Sequence, residues 1–407
     1  MLIGGKRELA YIVQIDAIEP IVGSDNCEAA VVGGWKIMTK KETFKAGDYA
    51  VYFEIDSQVP QHEPFMFLAK KHFKVKTQKY TFGGKGNFIS QGLLMSLDDF
   101  GDAPWVLSTK KRIEDGKDVI HEGLTEILGV IYADAADNKR KGASIDKYKA
   151  MAQRRPDIFR QSWARWLMRR TWGKKLMFLL FGKKKDTKKQ WPAWVKKTDE
   201  ERCQNLPHLF PGDGRKWIAT EKIDGTSTTF TMKRLKRNKY DFFVCSRNVV
   251  FDKPDKKCFY DTNVYLEMAE KYDIENKMIK IMEEHPELEY LTIQGETYGA
   301  GIQKREYSTP EHHFMAFNLI FGAKDCPPSR FNPIQMTNIL LKKYGIPCVP
   351  IVSESFVIPE TCEKLLLMAE GESIIDGGMR EGLVFRSYDG QESFKAVSNP
   401  FLLTFHS

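Results

Sequence analysis

Thr220-Glu221-Lys222-Ile223-Asp224-Gly225-Thr226-Ser227 sets a lysine at the end of one apolar run, Trp217–Thr220, and a tight Asp-Gly turn ahead of the next, Ser227–Met232. An amine so placed lies beside a carboxylate in a half-buried pocket. It acts as a nucleophile once its neighbours lower its pKa. Lys-x-Asp-Gly alone is a weak signal, because a hairpin carrying a solvated lysine produces the same pattern.

Further segments follow in a fixed order. Cys245-Ser246-Arg247-Asn248 ends a strand with a cation, and Gln294-Gly295-Glu296, after the apolar Leu288, Tyr290, Leu291 and Ile293, places a carboxylate at a strand terminus. Phe314-Met315-Ala316-Phe317-Asn318 is a strand with apolar and aromatic side chains on both faces. Glu381-Gly382-Leu383-Val384-Phe385-Arg386 opens another strand with a carboxylate, and Ser393–Ser398 supplies Lys395 on an adjacent one. Singly, Glu296 and Glu381 are strand-end surface charges, Phe317 a core residue and Lys395 an edge-strand gatekeeper. Together and in this order they resemble the motif set of the covalent nucleotidyltransferases, the polynucleotide ligases and mRNA capping enzymes.

Within that superfamily the details resemble ATP-dependent RNA ligases of the type with an N-terminal OB module and no C-terminal OB domain. Thr220–Gly225 is similar to the RNA ligase form of the nucleophile motif, and Lys197-Thr198-Asp199-Glu200-Glu201-Arg202-Cys203-Gln204-Asn205 resembles the element that precedes it. Only twelve residues follow Lys395, which leaves no room for a C-terminal OB domain. The resemblance covers about 196–407 well and the first 130 residues at the level of architecture. There are two departures: Lys395 is followed by Ala396 and Val397 where the last motif often has Lys-x-Lys, and Asn318 stands where many members have Asp.

The resemblance implies three transfers: a lysine captures AMP from ATP, AMP passes to an RNA 5′-phosphate, and the RNA 3′-hydroxyl displaces it. Lys222 would be the nucleophile, kept neutral by repulsion from a nearby cation, Lys395 or a bound Mg²⁺. Lys395 and Arg247 would stabilise charge on the phosphate oxygens. Asp224, Glu296 and Glu381 would hold hydrated Mg²⁺ (or Mn²⁺), with a ribose contact as the alternative for Glu296. Phe317 would stack on adenine, Glu221 read the base edge and Arg202 reach the outgoing phosphates. The implied partner is RNA with 3′-OH and 5′-phosphate ends, as nicks in a duplex, and the protein is expected to be a monomer. Three other readings remain at this point: a DNA ligase, a capping-type guanylyltransferase using GTP, and a non-catalytic RNA-binding protein on the same scaffold.

The 407 residues suggest more than one domain, and 42% hydrophobic with 29% charged residues excludes wholesale disorder. No apolar run is long enough to span a bilayer, so no integral membrane segment is expected, and Met1–Ala10 has no signal-peptide character. Seven cysteines without a CxxC pair point to a reducing intracellular compartment, cytoplasm or nucleus, without a disulfide framework or structural zinc.

The net charge of +8 is uneven. Residues 137–190 carry 18 Lys/Arg against 4 Asp, +14, and the remainder therefore −6. Trp163, Trp166, Trp172, Phe178 and Phe181 are interleaved with these cations, a pattern without a family counterpart. It fits nucleic-acid contact, a helical linker, or a basic amphipathic helix on a membrane surface with Leu176–Phe181 as the apolar face. The expectation is an α+β protein: an OB-like β-barrel module over 1–135, a basic helical insert over 136–195, and a nucleotidyltransferase domain of antiparallel sheets with flanking helices, ATP-grasp-like, over 196–407. Within the last, Thr198-Asp199-Glu200-Glu201 resembles a helix start, and Thr262–His285, Pro328–Tyr344 and Pro359–Glu370 read as helices.

Overall fold

The computed structural model describes the chain except for residues 5, 83–86, 134–157, 159–160, 169, 182–190, 196–198, 248, 252–262, 324–328, 332–333 and 407. It divides into two compact units, Met1–Val130 with Trp191–Ser407, and Ile131–Gln190. Among the described residues no helix is long and apolar enough to cross a membrane.

In the first 100 residues Trp35–Lys40 alternates buried and more exposed positions with period two, whereas Ala10–Gln14 and Tyr49–Phe53 are buried along nearly their whole length. Strands β1 (Ala10–Gln14), β5 (Tyr49–Phe53) and β6 (Leu93–Ser96) form one antiparallel sheet in the order β6-β5-β1, and β2 (Ala17–Pro20), β3 (Cys27–Val32) and β4 (Trp35–Lys40) form a second. Tyr11, Val13, Trp35, Ile37, Ala50 and Tyr52 fill the space between them, and Val397 and Leu402 from the far end of the chain join that same core. The module is thus sealed by the domain that follows it. A helix, α1 (Pro104–Glu114), comes next.

The second unit contains helices α2 (Ser162–Met168) and α3 (Thr171–Phe181). Most of the basic stretch 137–190 lies outside the described residues.

Two sheets build the C-terminal half. The smaller contains β7 (Glu201–Arg202), β8 (Lys216–Lys222), β15 (Ile351–Val357), β16 (Gly382–Ser387) and β17 (Ser393–Val397), in the order β7-β17-β16-β8-β15. Its pairs are antiparallel except for β7 with β17. The larger contains β9 (Thr226–Arg234), β10 (Tyr240–Cys245), β11 (Val250–Phe251), β12 (Leu288–Gly299), β13 (His312–Ala323) and β14 (Ser329–Phe331), antiparallel in the order β11-β10-β9-β12-β13-β14. Helices α4 (Val264–Lys271), α5 (Ile274–Glu284) and α6 (Ile334–Lys343) cover the larger sheet through Met268, Met278, Met282 and Leu341. Helix α7 (Cys362–Ala369) covers the smaller one through Leu365 and Leu366. Helix α8 (Asn399–Phe405) closes the chain.

The structure corrects several sequence expectations. Thr262–His285 is two helices, because Asp273 adopts a left-handed conformation (φ 48°) between them; Thr262 lies outside the described residues. Asp199–Glu201 does not start a helix, since Glu201–Arg202 pair with Phe394–Lys395 instead; Lys197 and Thr198 lie outside the described residues. The segment Pro328–Tyr344 spends Ser329–Phe331 on pairing with β13 before its helix begins. Glu296 is internal to β12 rather than at its end.

Candidate active site

Strand β8 belongs to the smaller sheet and β9 to the larger. The Ile223-Asp224-Gly225 turn is therefore a crossing between sheets and not a hairpin, and Lys222 stands where the two sheets meet. Gly225 is required by close approach: a Cβ there would meet the Thr297 carbonyl oxygen at 2.3 Å and Glu296 Cγ at 2.9 Å. The Tyr307 hydroxyl accepts from the Asp224 N–H at 2.9 Å, while Gln303 donates to the Gly225 carbonyl at 2.8 Å.

Register places the cations. In the smaller sheet Thr220 faces Val384, Val384 faces Lys395, and Lys395 faces Arg202, so these positions share one side. Lys222 and Arg386, each two residues from a member of that row, fall on the same side by the period-two rule. Lys395 is not at an edge, because β17 lies between β7 and β16. The opposite side carries Trp217, Ala219, Leu383, Phe385, Phe394 and Ala396, all in the apolar core beneath α7. One face is packed, and the other gathers Lys222, Lys395, Arg202 and Arg386.

Carboxylates meet these cations. Lys222 Nζ lies 2.7 Å from Glu381 Oε1, with the lysine side chain 24% exposed and the glutamate 10%. Burial would lower the Lys222 pKa, but Glu381, Glu296 and Asp224 outweigh it and raise it above the ordinary lysine value. Among the chain's own groups, three acids thus outweigh the repulsion expected from Lys395. The repulsion shows instead at Lys395, whose pKa burial lowers, against Asp199 and with Arg202 and Lys222 adding to the effect. Burial pushes the Glu296 carboxyl up to about 8, against the pull of Lys222 and with help from Glu381 and Asp224. Burial also raises Asp224, opposed by His406, whose Nε2 is 3.7 Å from Asp224 Oδ1.

The remaining expected residues fall around this centre. Asp199 bridges Lys395 (3.0 Å) and Arg247 (2.8 Å), and although burial would raise its pKa these two cations hold its carboxyl far below the usual range. Arg202 is buried, pairs with Asp56 of the N-terminal module at 3.1 Å, and leaves Nη1 without a hydrogen-bond partner. Phe317 is the extra residue of a β-bulge: Gln294 faces Asn318 while the next residue, Gly295, faces Ala316. Phe317 packs against the cluster of Ile223, Tyr298, Tyr307 and Val349, and Arg386 lies 6.0 Å over its ring. Asn318 pins that register by donating to Gln294 Oε1 at 3.1 Å. Glu221, alternating to the other side of β8, accepts from the Ser373 hydroxyl at 2.5 Å and the Ile374 N–H at 2.8 Å. It thereby holds the loop whose Ile375 packs against the same cluster as Phe317.

Asp199, Tyr307, Arg386 and His406 were not singled out from sequence. Only strand register could have found Arg386, and the other three depend on contacts across loops. The assembled site combines a strand-end amine, carboxylates of raised pKa, a cationic sheet face and a bulged aromatic ring. Such a set suits binding a nucleotide and transferring its phosphoryl end.

Residues 215–397 match the model of the RNA ligase family, and residues 9–97 match an OB-fold domain. No curated protein matches the chain by sequence. Among solved structures, a glutamate-to-alanine mutant of the Naegleria gruberi RNA ligase with AMP and Mn superposes with a TM-score of 0.69 at 25% identity, covering 98% of this chain and 99% of that one. A lysine-to-alanine mutant of the same ligase with ATP and Mn gives the same TM-score, identity and coverage. The Naegleria gruberi RNA ligase with PPi gives a TM-score of 0.68 at 25% identity, covering 98% of each chain. Residues 215–397 are thus a domain of the RNA ligase family, preceded by an OB-fold domain over residues 9–97.

Proposed function

We propose that the protein joins RNA 3′-OH and 5′-phosphate ends at the expense of ATP, through AMP carried on Lys222, and that nicks in a duplex are its substrate. The observation that carries this reading is Lys222 at the crossing between the sheets, paired with Glu381 and sharing a sheet face with Lys395, Arg202 and Arg386. A single chain supplies all of these groups, so the reading needs no second copy.

In the first step Lys222 releases a proton to water to expose its lone pair, its nitrogen bonds to the α-phosphorus of ATP as the bond to pyrophosphate breaks, and a second N–H proton passes to water to leave the phosphoramidate. Lys395, Arg202 and Arg247 would offset charge on the phosphate oxygens during transfer. Phe317 in its bulge would offer the adenine a ring face, with Glu221 fixing the loop alongside it. AMP then passes to the RNA 5′-phosphate, and the 3′-oxygen finally displaces it to close the strand.

The acids fit a divalent cation. Glu381 Oε2 and Asp224 Oδ2 are buried with no hydrogen-bond partner, and Glu296 stands beside them in charge. Among the described residues no three acidic, histidine or cysteine side chains are grouped tightly enough to bind a metal by themselves. Mg²⁺ or Mn²⁺ would accordingly be held with much of its water shell, as Mg²⁺ usually is, by Glu381, Asp224 and Glu296. Bound there, it would neutralise these acids, lowering the pKa of the neighbouring amine and countering charge at the α-phosphate.

The test is incubation with ATP labelled at the α-phosphate and a divalent cation. Label should attach covalently to the wild-type chain and not to Lys222→Ala, and nicked RNA duplexes should be sealed faster than nicked DNA. Absence of any adduct on folded wild-type protein rejects the proposal. Labelling from GTP in place of ATP would assign a capping-type activity instead.

A further inference from the structure

Along α3, Trp172, Leu176 and Leu180 recur every fourth residue and are 53%, 39% and 61% exposed. On α2, Trp166 is 50% exposed. The Trp166 and Trp172 rings meet edge to face at 6.3 Å, and the Arg170 guanidinium lies 3.9 Å over the Trp166 ring. Gly173 makes the corner possible, since a Cβ there would meet the Leu167 carbonyl oxygen at 2.1 Å. Buried Ala164 and Met177 take the inner side. The outcome is one continuous apolar stripe, Trp166–Trp172–Leu176–Leu180, edged by cations.

We propose that this helical corner docks on an anionic lipid leaflet. Charge complementarity selects that occupant: the described residues of 161–181 include Arg165, Arg170, Lys174 and Lys175 and no Asp or Glu. Eleven residues of helix span about 16 Å, near half the thickness of a bilayer core, so α3 can lie in the surface but not cross it. Indole rings favour the headgroup level, aliphatic side chains the acyl boundary, and lysine and arginine the phosphates. RNA would satisfy the cations and the tryptophans equally well, but Leu176 and Leu180 have no face on which a base can stack. A leaflet accommodates the leucines and the cations together. The proposal is independent of the ligase reading.

The experiment uses the full chain and vesicles of phosphatidylcholine, with and without phosphatidylserine, at low and high salt. Sedimentation should carry the protein down with phosphatidylserine vesicles, at least about tenfold less with phosphatidylcholine alone or at high salt. Lipids brominated in the acyl chain should quench tryptophan fluorescence, which shows insertion without any variant. The triple change Trp172→Glu, Leu176→Glu, Leu180→Glu should cut vesicle binding at least about 100-fold and leave labelling by ATP intact. Wild-type protein remaining in the supernatant overturns the proposal, as does sedimentation without quenching. So does a triple variant that binds vesicles normally but loses RNA.

Discussion

Lys222 Nζ stands 2.7 Å from Glu381 Oε1, and with Glu296 and Asp224 close by the amine rests in its protonated form. The ion pair orients the nucleophile and at the same time restrains it. Glu381→Gln removes one of the charges that raise the Lys222 pKa. The pH at which Lys222 becomes reactive toward a small amine-directed ester should then move down relative to wild type. Labelling by ATP should nevertheless fall by about 100-fold or more, because the same carboxylate is proposed to hold the divalent cation. Identical reactivity profiles in the two proteins would show that Glu381 does not set the charge state of Lys222.

Glu296 gives a stability signature of opposite sense to an ordinary ion pair. Its folded pKa is about 8 against 4.5 for a free glutamate. Between these values the unfolded chain ionises and the folded one does not, so stability falls as pH rises through that window. At about 1.4 kcal/mol per pKa unit the full cost is bounded at about 4–5 kcal/mol, and solvent reaching the half-buried carboxylate reduces it. Glu296→Gln should therefore raise the melting temperature, more at pH 9 than at pH 6, while impairing labelling by ATP. A gain that is the same at both pH values would place the carboxylate in an ordinary, ionised environment.

Asp199 bridges Lys395 and Arg247 and is a positioning residue for both. Without it Lys395, whose pKa burial already lowers, loses the charge that opposes that effect. Asp199→Asn should raise the KM for ATP by about 10- to 100-fold, the larger part of the defect appearing at alkaline pH where Lys395 loses its proton. An unchanged KM with a lower kcat would argue for another role.

These predictions mark where the sequence was informative. The strands around Lys222, Glu381 and Lys395 announced themselves through apolar and β-branched runs, and their ordered motifs pointed to the chemistry. What pairs with what was less visible. Thr198-Asp199-Glu200-Glu201 has the composition of a capped helix start, yet Glu201 and Arg202 find their partners in Phe394 and Lys395, far along the chain. The turn at Asp273 has neither glycine nor proline to signal it. Arg386 lay within a recognised motif, but its place beside Lys395 and Lys222 follows only from the register of three strands. Asn318 departs from the aspartate common in the family and is explained once Gln294 is seen to accept its hydrogen bond.

Gly225 offers a test of the crossing itself. Its Cβ position is occupied by backbone, the Thr297 carbonyl, which cannot swing aside as a side chain would. Gly225→Ala should displace the turn, cut labelling by ATP at least tenfold and lower stability by about 1–3 kcal/mol, measured by denaturant unfolding. Wild-type labelling with wild-type stability would mean that the two sheets tolerate a wider separation at Lys222.

One buried amide ties the OB-fold domain to the ligase domain. Asn205 accepts from Trp35 Nε1 at 2.6 Å and donates to Glu54 Oε1 at 3.0 Å and Glu201 Oε1 at 2.7 Å. Both carboxylates also receive Arg7, so the amide completes a network that spans the joint. Asn205→Ala leaves a buried indole N–H without its acceptor and should cost about 2–4 kcal/mol in denaturant unfolding. Asn205→Asp keeps the shape but sets a third carboxylate against Glu54 and Glu201. Repulsion and burial would raise the folded pKa of the new acid, so its destabilisation should grow as pH rises from acid toward neutral and shrink again on acidification. A loss in Asn205→Asp that does not change with pH would show that water, and not the two glutamates, surrounds position 205 in solution.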